Sequence, residues 1–544
     1  MKLPPGISNR VFTSAIKEFQ QAVGKDWVFT GAADVDLYRD AYTPFWGEDA
    51  ELIPSAAVAP DSVEQVQDVV RAANRYKNPI YPLSTGKNLG YGGSAPTLTG
   101  SVILDLKRMN RILEVNEKNA SILVEPGVSY FDAYNHLQST GSQLWLDVPD
   151  PGWGSLIGNA MDRGGGYTAA MYRNHFDAHC GMEVVLANGE VMRTGMGALP
   201  GAHSWQQYKT GFGPWIDGMF SQSNFGVVTK MGFWLMPQPE AYLSGMVTVY
   251  KHDDLIALID ILNYLENSNI FTGMPFLGSP LVNPSLAPGE EVRKPAPPEV
   301  LELYAGSEDP TPADLERLCR NQGVGLWAAK LQFYGPPEVI RAQWEYAKKK
   351  FSAIAGAGFK DLDFYTLPLT AAQAENAHKV SFGIPNLEIF FIGARSEYVS
   401  SPSNGHIWFS PIIPRDGKEI FKAQRVFSKA ARELGLPVPI LPMAATYWMR
   451  SFMFLFGFPI TQDIETNRRN REAFKKLIRI AADNGWGEYR TAPVYQDAVM
   501  DVYSFNNHAL LRFHETVKDA IDPNGILSPG RYGIWPKHLR GKQS

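Results

Sequence analysis

Residues 84–93 read STGKNLGYGG, with Gly86, Gly90, Gly92 and Gly93 clustered around Lys87 and Tyr91, directly behind the apolar run from Pro79 to Leu83. Clustered glycines let successive backbone N–H groups converge on one anion, because a residue without Cβ takes positive φ freely. The spacing fits neither G-x-G-x-x-G nor G-x-x-x-x-G-K-[ST], so neither a Rossmann fingerprint nor a P-loop is supported. On spacing alone a bare turn and an anion cradle both stay open. A second cluster, Gly152, Gly154, Gly158, Gly164, Gly165 and Gly166, carries Leu156, Ile157 and Ala160, small and apolar residues suited to close backbone approach. Two such loops suggest a large, doubly charged ligand such as a dinucleotide pyrophosphate.

The elements that position these loops are legible from their periodicity. Val63, Val66, Val69, Val70 and Ala73 share one helical stripe, and Ser62 with Gln65 has the spacing of a capping box. Strands are expected at Ile80 to Leu83 and Val102 to Leu106, then a hairpin from Ile112–Val115 to Ser121–Val124 across Asn116 to Asn119. A second hairpin turns at Asn188-Gly189 between Glu183–Leu186 and Val191–Thr194. A last apolar strand, Val227 to Met236, ends at Pro237 and Pro239, where a domain boundary is placed. Beyond it come a helix at 253–265 and a proline-rich excursion at 275–298. Strand and helix then alternate twice: Ala328–Phe333 with helix 337–354, and His406–Ile412 with helix 418–434. Phe452 to Phe458 reads as one buried strand, and helix 465–483 leads to GEYRTAPVY and the turn DPNGILSPGR.

A chain of 544 residues with 44% hydrophobic content exceeds what one core holds. The expected fold class is therefore α+β in two domains, with a second α/β unit beyond residue 240. A net charge of −5 without a basic block argues against nucleic acid as a partner. Cys180 and Cys319 cannot build a disulfide framework, no metal site is assigned, and no run of about 18 apolar residues suggests a membrane span. The absence of a secretory leader pattern points to the cytoplasm.

PLSTGKNLGYGG, VILDLKRMNRILEV, VEPGV, GNAMDRGGG, GMEVVLANGEVMRTG, GVVTKMGFWLMP and DPNGILSPGR, in this order, resemble the FAD-linked oxidases of the vanillyl-alcohol oxidase / p-cresol methylhydroxylase family. The resemblance implies FAD as cofactor, held by Ser84, Thr85, Gly86, Lys87, Asn88, Gly90, Gly92, Pro149, Gly154, Ser155, Gly158, Asn159, Gly165, Gly226, Val228 and Arg531. The same resemblance implies that residues 241–485 are a cap or substrate domain and that residues 486–544 complete the first domain, 1–240. It implies a covalent flavin bond to His406, in SNGHIWFSPI, with Tyr398 as the alternative attachment. It further implies that Tyr91 joins Tyr489 and Arg490 to bind a small phenolic substrate. An arginine and two hydroxyl donors stabilise a phenolate, which is electron-rich enough to lose a benzylic hydride and become a p-quinone methide.

Departures from the family qualify that picture. Asn174 stands where vanillyl-alcohol oxidases carry an aspartate near flavin N5, and an amide is no general base, which leaves Asp177 or His175 as substitutes. The first histidine is His136, so no N-terminal histidine is present to assist flavin attachment. The short loop Pro200 to Trp205 favours a homodimer over a larger assembly. Oxygen is the expected electron acceptor, with a cytochrome or other carrier as the alternative, and a non-catalytic flavin-binding protein is the third reading. Phe382, Phe390, Leu441 and Trp448 are candidate pocket residues of the cap.

Overall fold

The computed structural model describes residues 2–88, 90–282, 298–387, 405–439, 441, 444–448 and 450–541. Ser62 accepts a hydrogen bond from the Gln65 amide and caps the helix Val63–Tyr76, which buries the expected valine stripe. The Gln65 side chain caps Asp61 N–H rather than Ser62 N–H, so only half of the expected box forms. The stripe belongs to a core built with the fully buried strands Ala56–Val58 and Val102–Asp105. These run parallel to each other and to Ile80–Leu83, while Val28–Phe29 closes the edge antiparallel. The glycine loop leaves the end of Ile80–Leu83.

An antiparallel sheet follows, in the spatial order Ile112–Asn116, Ser121–Val124, Val227–Trp234, His179–Val185, Val191–Arg193. Both expected hairpins form. Asn119 N–H reaches Asn116 Oδ1 at 3.0 Å in one, and Gly189 takes φ 83° in the other. Cys180 and Cys319 are buried, and burial pushes both thiols up to about 12, which makes them inert.

Beyond residue 240 an antiparallel sheet runs Phe276–Gly278, Trp327–Gly335, Ala241–Val249, Gly358–Thr366, packed on helices Asp254–Asn267 and Pro337–Phe351. Ala241–Val249 and Gly358–Thr366 are additions to the sequence reading. The proline-rich excursion contributes the short strand Phe276–Gly278, and residues 283–297 lie outside the described residues.

The expected strand His406–Ile412 is two strands. Gly405–Phe409 pairs with Phe456–Ile460, while Pro411–Pro414 pairs with Ser451–Phe454 and with Gly487–Glu488. The break falls at Ser410, and the matching break in the Phe452–Phe458 run falls at Leu455. Each apolar run changes partner sheet in its middle, which a continuous hydrophobic pattern does not reveal.

One hydrophobic core gathers residues from Ala241 to Tyr495; two others gather residues up to Leu235 together with Val380, Ile526, Leu527 and Ile534. The C-terminal segment thus returns to the first sheets. Ile80 N–H donates to Ile526 O at 2.8 Å, and Ser528 N–H to Ile80 O at 2.9 Å. Asn224 Nδ2 donates to Ser528 O and Ile534 O at 3.0 and 2.8 Å. The buried Lys518 ammonium is shared by Asp522, Asn224 O and Leu527 O. Among the described residues no helix is long and apolar enough to cross a membrane.

Candidate functional site

The loop of residues 84–93 is wedged between two later segments, and its glycines mark the contacts. A Cβ at Gly90 (φ 81°) would lie 2.7 Å from the Trp408 ring and 3.3 Å from His406; one at Gly92 (φ 129°) would lie 2.4 Å from Pro493. Both backbone conformations suit glycine and strain other residues. Trp408 N–H also donates to Gly90 O at 3.3 Å. Tyr91 sits between these two anchors, tied to the strand of His406 on one side and to the segment of Arg490 on the other.

Ser155 caps the short helix Leu156–Met161, accepting from Gly158 N–H at 3.2 Å and donating to Pro126 O at 2.6 Å. A Cβ on Gly158 would stand 2.2 Å from Ser84 Oγ, so the two glycine loops touch here. Along them opens a cavity of about 460 Å³. Of the residues expected at the cofactor, Ser84, Thr85, Gly86, Lys87, Asn88, Pro149, Gly154, Ser155, Gly158, Asn159, Gly165, Gly226, Val228, His406 and Arg531 line it. Gly90 and Gly92 stand behind the wall. The donor set fits FAD: backbone amides and hydroxyls for a pyrophosphate, with Lys87 and Arg531 as cations. Ser223 Oγ, Asn224 Oδ1 and Arg490 Nε, on wall residues, have no protein partner among the described residues, capacity that a polar ligand satisfies.

Tyr91, Tyr489 and Arg490 meet in the same wall. The Arg490 Cζ lies 4.0 Å from the Tyr91 ring centroid and 5.1 Å from that of Tyr489, and the two rings stand edge to face at 6.0 Å. The Tyr91 hydroxyl is 2.8 Å from Ser410 Oγ, at the strand break. Burial raises the Tyr91 pKa against the opposing pull of Arg490, so Tyr91 remains a neutral phenol with a proton to donate. Burial pulls the Arg490 guanidinium down, but Tyr489, Tyr91 and Asp162 together outweigh it and hold the group charged.

Several residues here escaped the sequence reading. Asp162 takes Asn88 Nδ2–H at 2.5 Å, Arg531 Nη2–H at 3.0 Å and the Tyr532 hydroxyl, with Arg490 Nη1 at 3.6 Å. A lone acid inside GNAMDRGGG was its only signal. Asp162 thus stands between Arg490 and Arg531 in the cavity wall. Glu488, two residues before Arg490, is buried and accepts Ser410 N–H on both oxygens, at 3.1 and 2.9 Å. Burial raises its pKa well above the ordinary carboxylate value, only partly offset by the Ser410 amide.

A carboxyl kept protonated by burial makes stability depend on pH in a definite direction. Between the ordinary value near 4.5 and the raised one, the folded protein keeps a proton that the unfolded chain has lost. Stability is therefore expected to fall as pH rises through that window, by about 1.4 kcal/mol for each pH unit crossed. Asp40, raised to about 6 by burial, declines in parallel, so the measurement is the difference in melting temperature between wild type and Glu488→Gln. That difference should widen with pH in favour of the variant, and a pH-independent difference rejects the assignment.

Asn174 does not line the first cavity. It faces a second one, of about 720 Å³, and donates Nδ2–H to Asp177 at 2.8 Å. Its backbone bridges to Gly165, and Gln222, Ser223, Tyr489, Arg490 and Tyr532 form a wall common to both cavities. His175 is committed elsewhere: Nε2 lies 2.8 Å from Asp147 and Nδ1 2.9 Å from the Tyr130 hydroxyl. His406 packs between Trp408 (4.5 Å) and Tyr42 (5.3 Å), ring centroid to ring centroid. Tyr398 and Phe390 lie outside the described residues. Phe382 packs on Tyr242 and Tyr365, and Leu441 joins the large core; neither lines either cavity, and Trp448 is described only as part of the strand Ala444–Trp448.

A family model described as FAD binding domain matches residues 54–195. The chain is 33% identical over 540 residues to the flavoprotein subunit of 4-cresol dehydrogenase [hydroxylating] of Pseudomonas putida, covering 98% of this chain and 97% of that one. Among solved structures it is similar to 4-ethylphenol oxidase from Gulosibacter chungangensis in complex with isoeugenol, at 35% identity and TM-score 0.82, covering 99% of this chain and 100% of that one. It is also similar to p-cresol methylhydroxylase with substrate bound, at 31% identity and TM-score 0.82, covering 98% and 99%.

Proposed function

The chain belongs to the vanillyl-alcohol oxidase / p-cresol methylhydroxylase family of FAD-dependent oxidoreductases, and on that premise we propose that it oxidises para-substituted phenols: 4-alkylphenols, 4-hydroxybenzylic alcohols and 4-alkylguaiacols. The observation that carries this reading is the meeting of Tyr91, Tyr489 and Arg490 in the cofactor cavity wall. FAD held along the glycine loops would supply the two-electron acceptor for a hydride from the benzylic carbon, and loss of that hydride from a phenolate gives a p-quinone methide. Arg490 holds the ionised phenol oxygen. At an effective dielectric of about 20, unit charges about 4 Å apart attract by about 4 kcal/mol. That pull opposes the burial that raises the pKa of Tyr91 in the same wall, and with two hydroxyl donors it shifts the substrate toward phenolate relative to a site without the guanidinium. With Ser410 donating to Tyr91 across their 2.8 Å contact, the Tyr91 proton is free for the substrate oxygen, and Tyr489 donates from the other side. A neutral Glu488 leaves the Arg490 guanidinium available to that oxygen.

In this reading residues 1–240 and 486–544 form the FAD domain and 241–485 the cap; the parting of the cores near residue 240 supports the first boundary, whereas Trp486, Ala492 and Tyr495 pack in the core of the cap and move the second beyond Tyr495. His406 carries the flavin, supported by its place on the cavity wall beside Gly90. Acid-precipitated protein should then stay yellow, and His406→Ala should release its flavin to the supernatant; a flavin that leaves wild type on precipitation rejects the bond. Oxygen is the acceptor in this proposal. Mixing substrate-reduced enzyme with aerated buffer tests it, because reoxidation slower than turnover would point to a carrier protein instead. An anaerobic panel of 4-alkylphenols should bleach the flavin band, and a panel without bleaching sinks the substrate class.

A further inference from the structure

Away from both cavities, two arginines and one glutamate are sealed together. Arg173 Nη2 donates to Glu266 Oε1 at 2.5 Å and Arg415 Nη1 donates to Glu266 Oε2; the three side chains are 1, 2 and 0% exposed. Arg415 Nε donates to Asn263 Oδ1 at 2.5 Å, and Asn263 Nδ2 returns a bond to Arg415 O at 2.7 Å. Arg173 ends the helix Ala170–Arg173 beside the second glycine cluster, Glu266 lies in the last turn of Asp254–Asn267, and Arg415 follows the strand Pro411–Pro414. The cluster therefore joins the half of the chain that carries the glycine loops to the half beyond residue 240.

Two features of this cluster are left unbalanced. Its charges sum to +1, and arginine does not shed its proton. In addition, Arg173 Nε, Arg173 Nη1 and Arg415 Nη2 have no protein partner among the described residues. Burial lowers the Arg415 pKa, Glu266 offsets only part of this, and Arg173 and Arg450 add smaller pulls in the same direction as burial. A water molecule satisfies an N–H but leaves the charge, and an uncompensated buried charge is among the costliest features a fold can carry. None of the three side chains lines either cavity, so neither substrate nor cofactor is placed to balance the charge.

We infer that Arg173 and Arg415 together hold a chloride-sized monoanion that fastens residues 170–174 to the sheet and helix beyond residue 240. The inference is independent of the phenol reading, because it concerns a site that substrate does not reach. The holoenzyme decides it directly. Melting at equal ionic strength in potassium chloride, bromide or gluconate should give a saturable rise of roughly 1–3 °C in the two halides over gluconate. Crystals grown in bromide should show an anomalous peak within hydrogen-bonding reach of Arg173 Nη1 and Arg415 Nη2. Arg173→Met leaves the balanced Arg415–Glu266 pair and should abolish both the halide effect and the peak. Should that variant fail to fold, the wild-type bromide data alone decide. Halide-indifferent melting with only a non-anomalous peak overturns the inference, as does an acidic side chain of the chain itself lodged between the two guanidinium groups.

Discussion

Arg490→Ala is expected to lower kcat/KM for a 4-alkylphenol by about a thousandfold while leaving flavin content and melting temperature near wild type. Truncating one member of a buried charge pair costs about 2–5 kcal/mol, and about 4 kcal/mol is a thousandfold in rate. The fold tolerates the change because the other anchor of this wall survives: Asp162 keeps Asn88, Arg531 and the Tyr532 hydroxyl. Arg490→Lys restores the charge without the planar fork and should recover only part of the loss. The alanine variant should also shift its rate maximum to higher pH, because the substrate then ionises without a guanidinium beside it. A kcat/KM within roughly threefold of wild type would remove Arg490 from the substrate site, and with it the proposed chemistry.

Gly92→Ala is the second large effect expected, although residue 92 lines neither cavity. Its φ of 129° is a conformation that L-residues rarely adopt, and strain of this kind costs about 1–3 kcal/mol. The added methyl would also overlap Pro493, which cannot yield easily. Its neighbour Tyr495 is buried and stacks on Phe474 at 3.9 Å, within the largest core. The loop must move instead, and Tyr91 moves with it, away from Arg490 and Ser410. We expect kcat/KM to fall about a hundredfold and the melting temperature to drop by several degrees. Gly90→Ala provides the contrast, since its methyl meets Trp408 and His406, so its loss should appear in flavin binding first. Equal wild-type turnover in Gly92→Ala would mean that Tyr91 does not depend on this contact.

The glycine loops were legible because glycine marks where backbone must approach a ligand, whereas Tyr91, Tyr489 and Arg490 were singled out by the family resemblance, since no local pattern joins residues about 400 positions apart. Helix Val63–Tyr76 and both hairpins were legible too, since periodicity and turn chemistry are short-range signals. What stayed hidden is long-range. Ser410 and Leu455 interrupt apolar runs that read as continuous strands, and only the pairing partners show that the sheets change there. Asp162 and Glu488 were visible as letters, but their weight comes from Arg531 and Ser410, far away in sequence. Arg173 looked like a neighbour of Asn174, whereas its partner Glu266 sits on a helix beyond the first sheets.

The return of the C-terminal segment to Ile80, Tyr81 and Asn224 dictates an order of events during synthesis. Arg531, which donates to Tyr81 from 450 positions downstream, leaves the ribosome roughly 20–90 s after the glycine loop does, at ordinary elongation rates. Until then the nascent N-terminal half exposes an unfinished nucleotide groove. The cavity wall is therefore complete only once Arg531 and Tyr532 have been made.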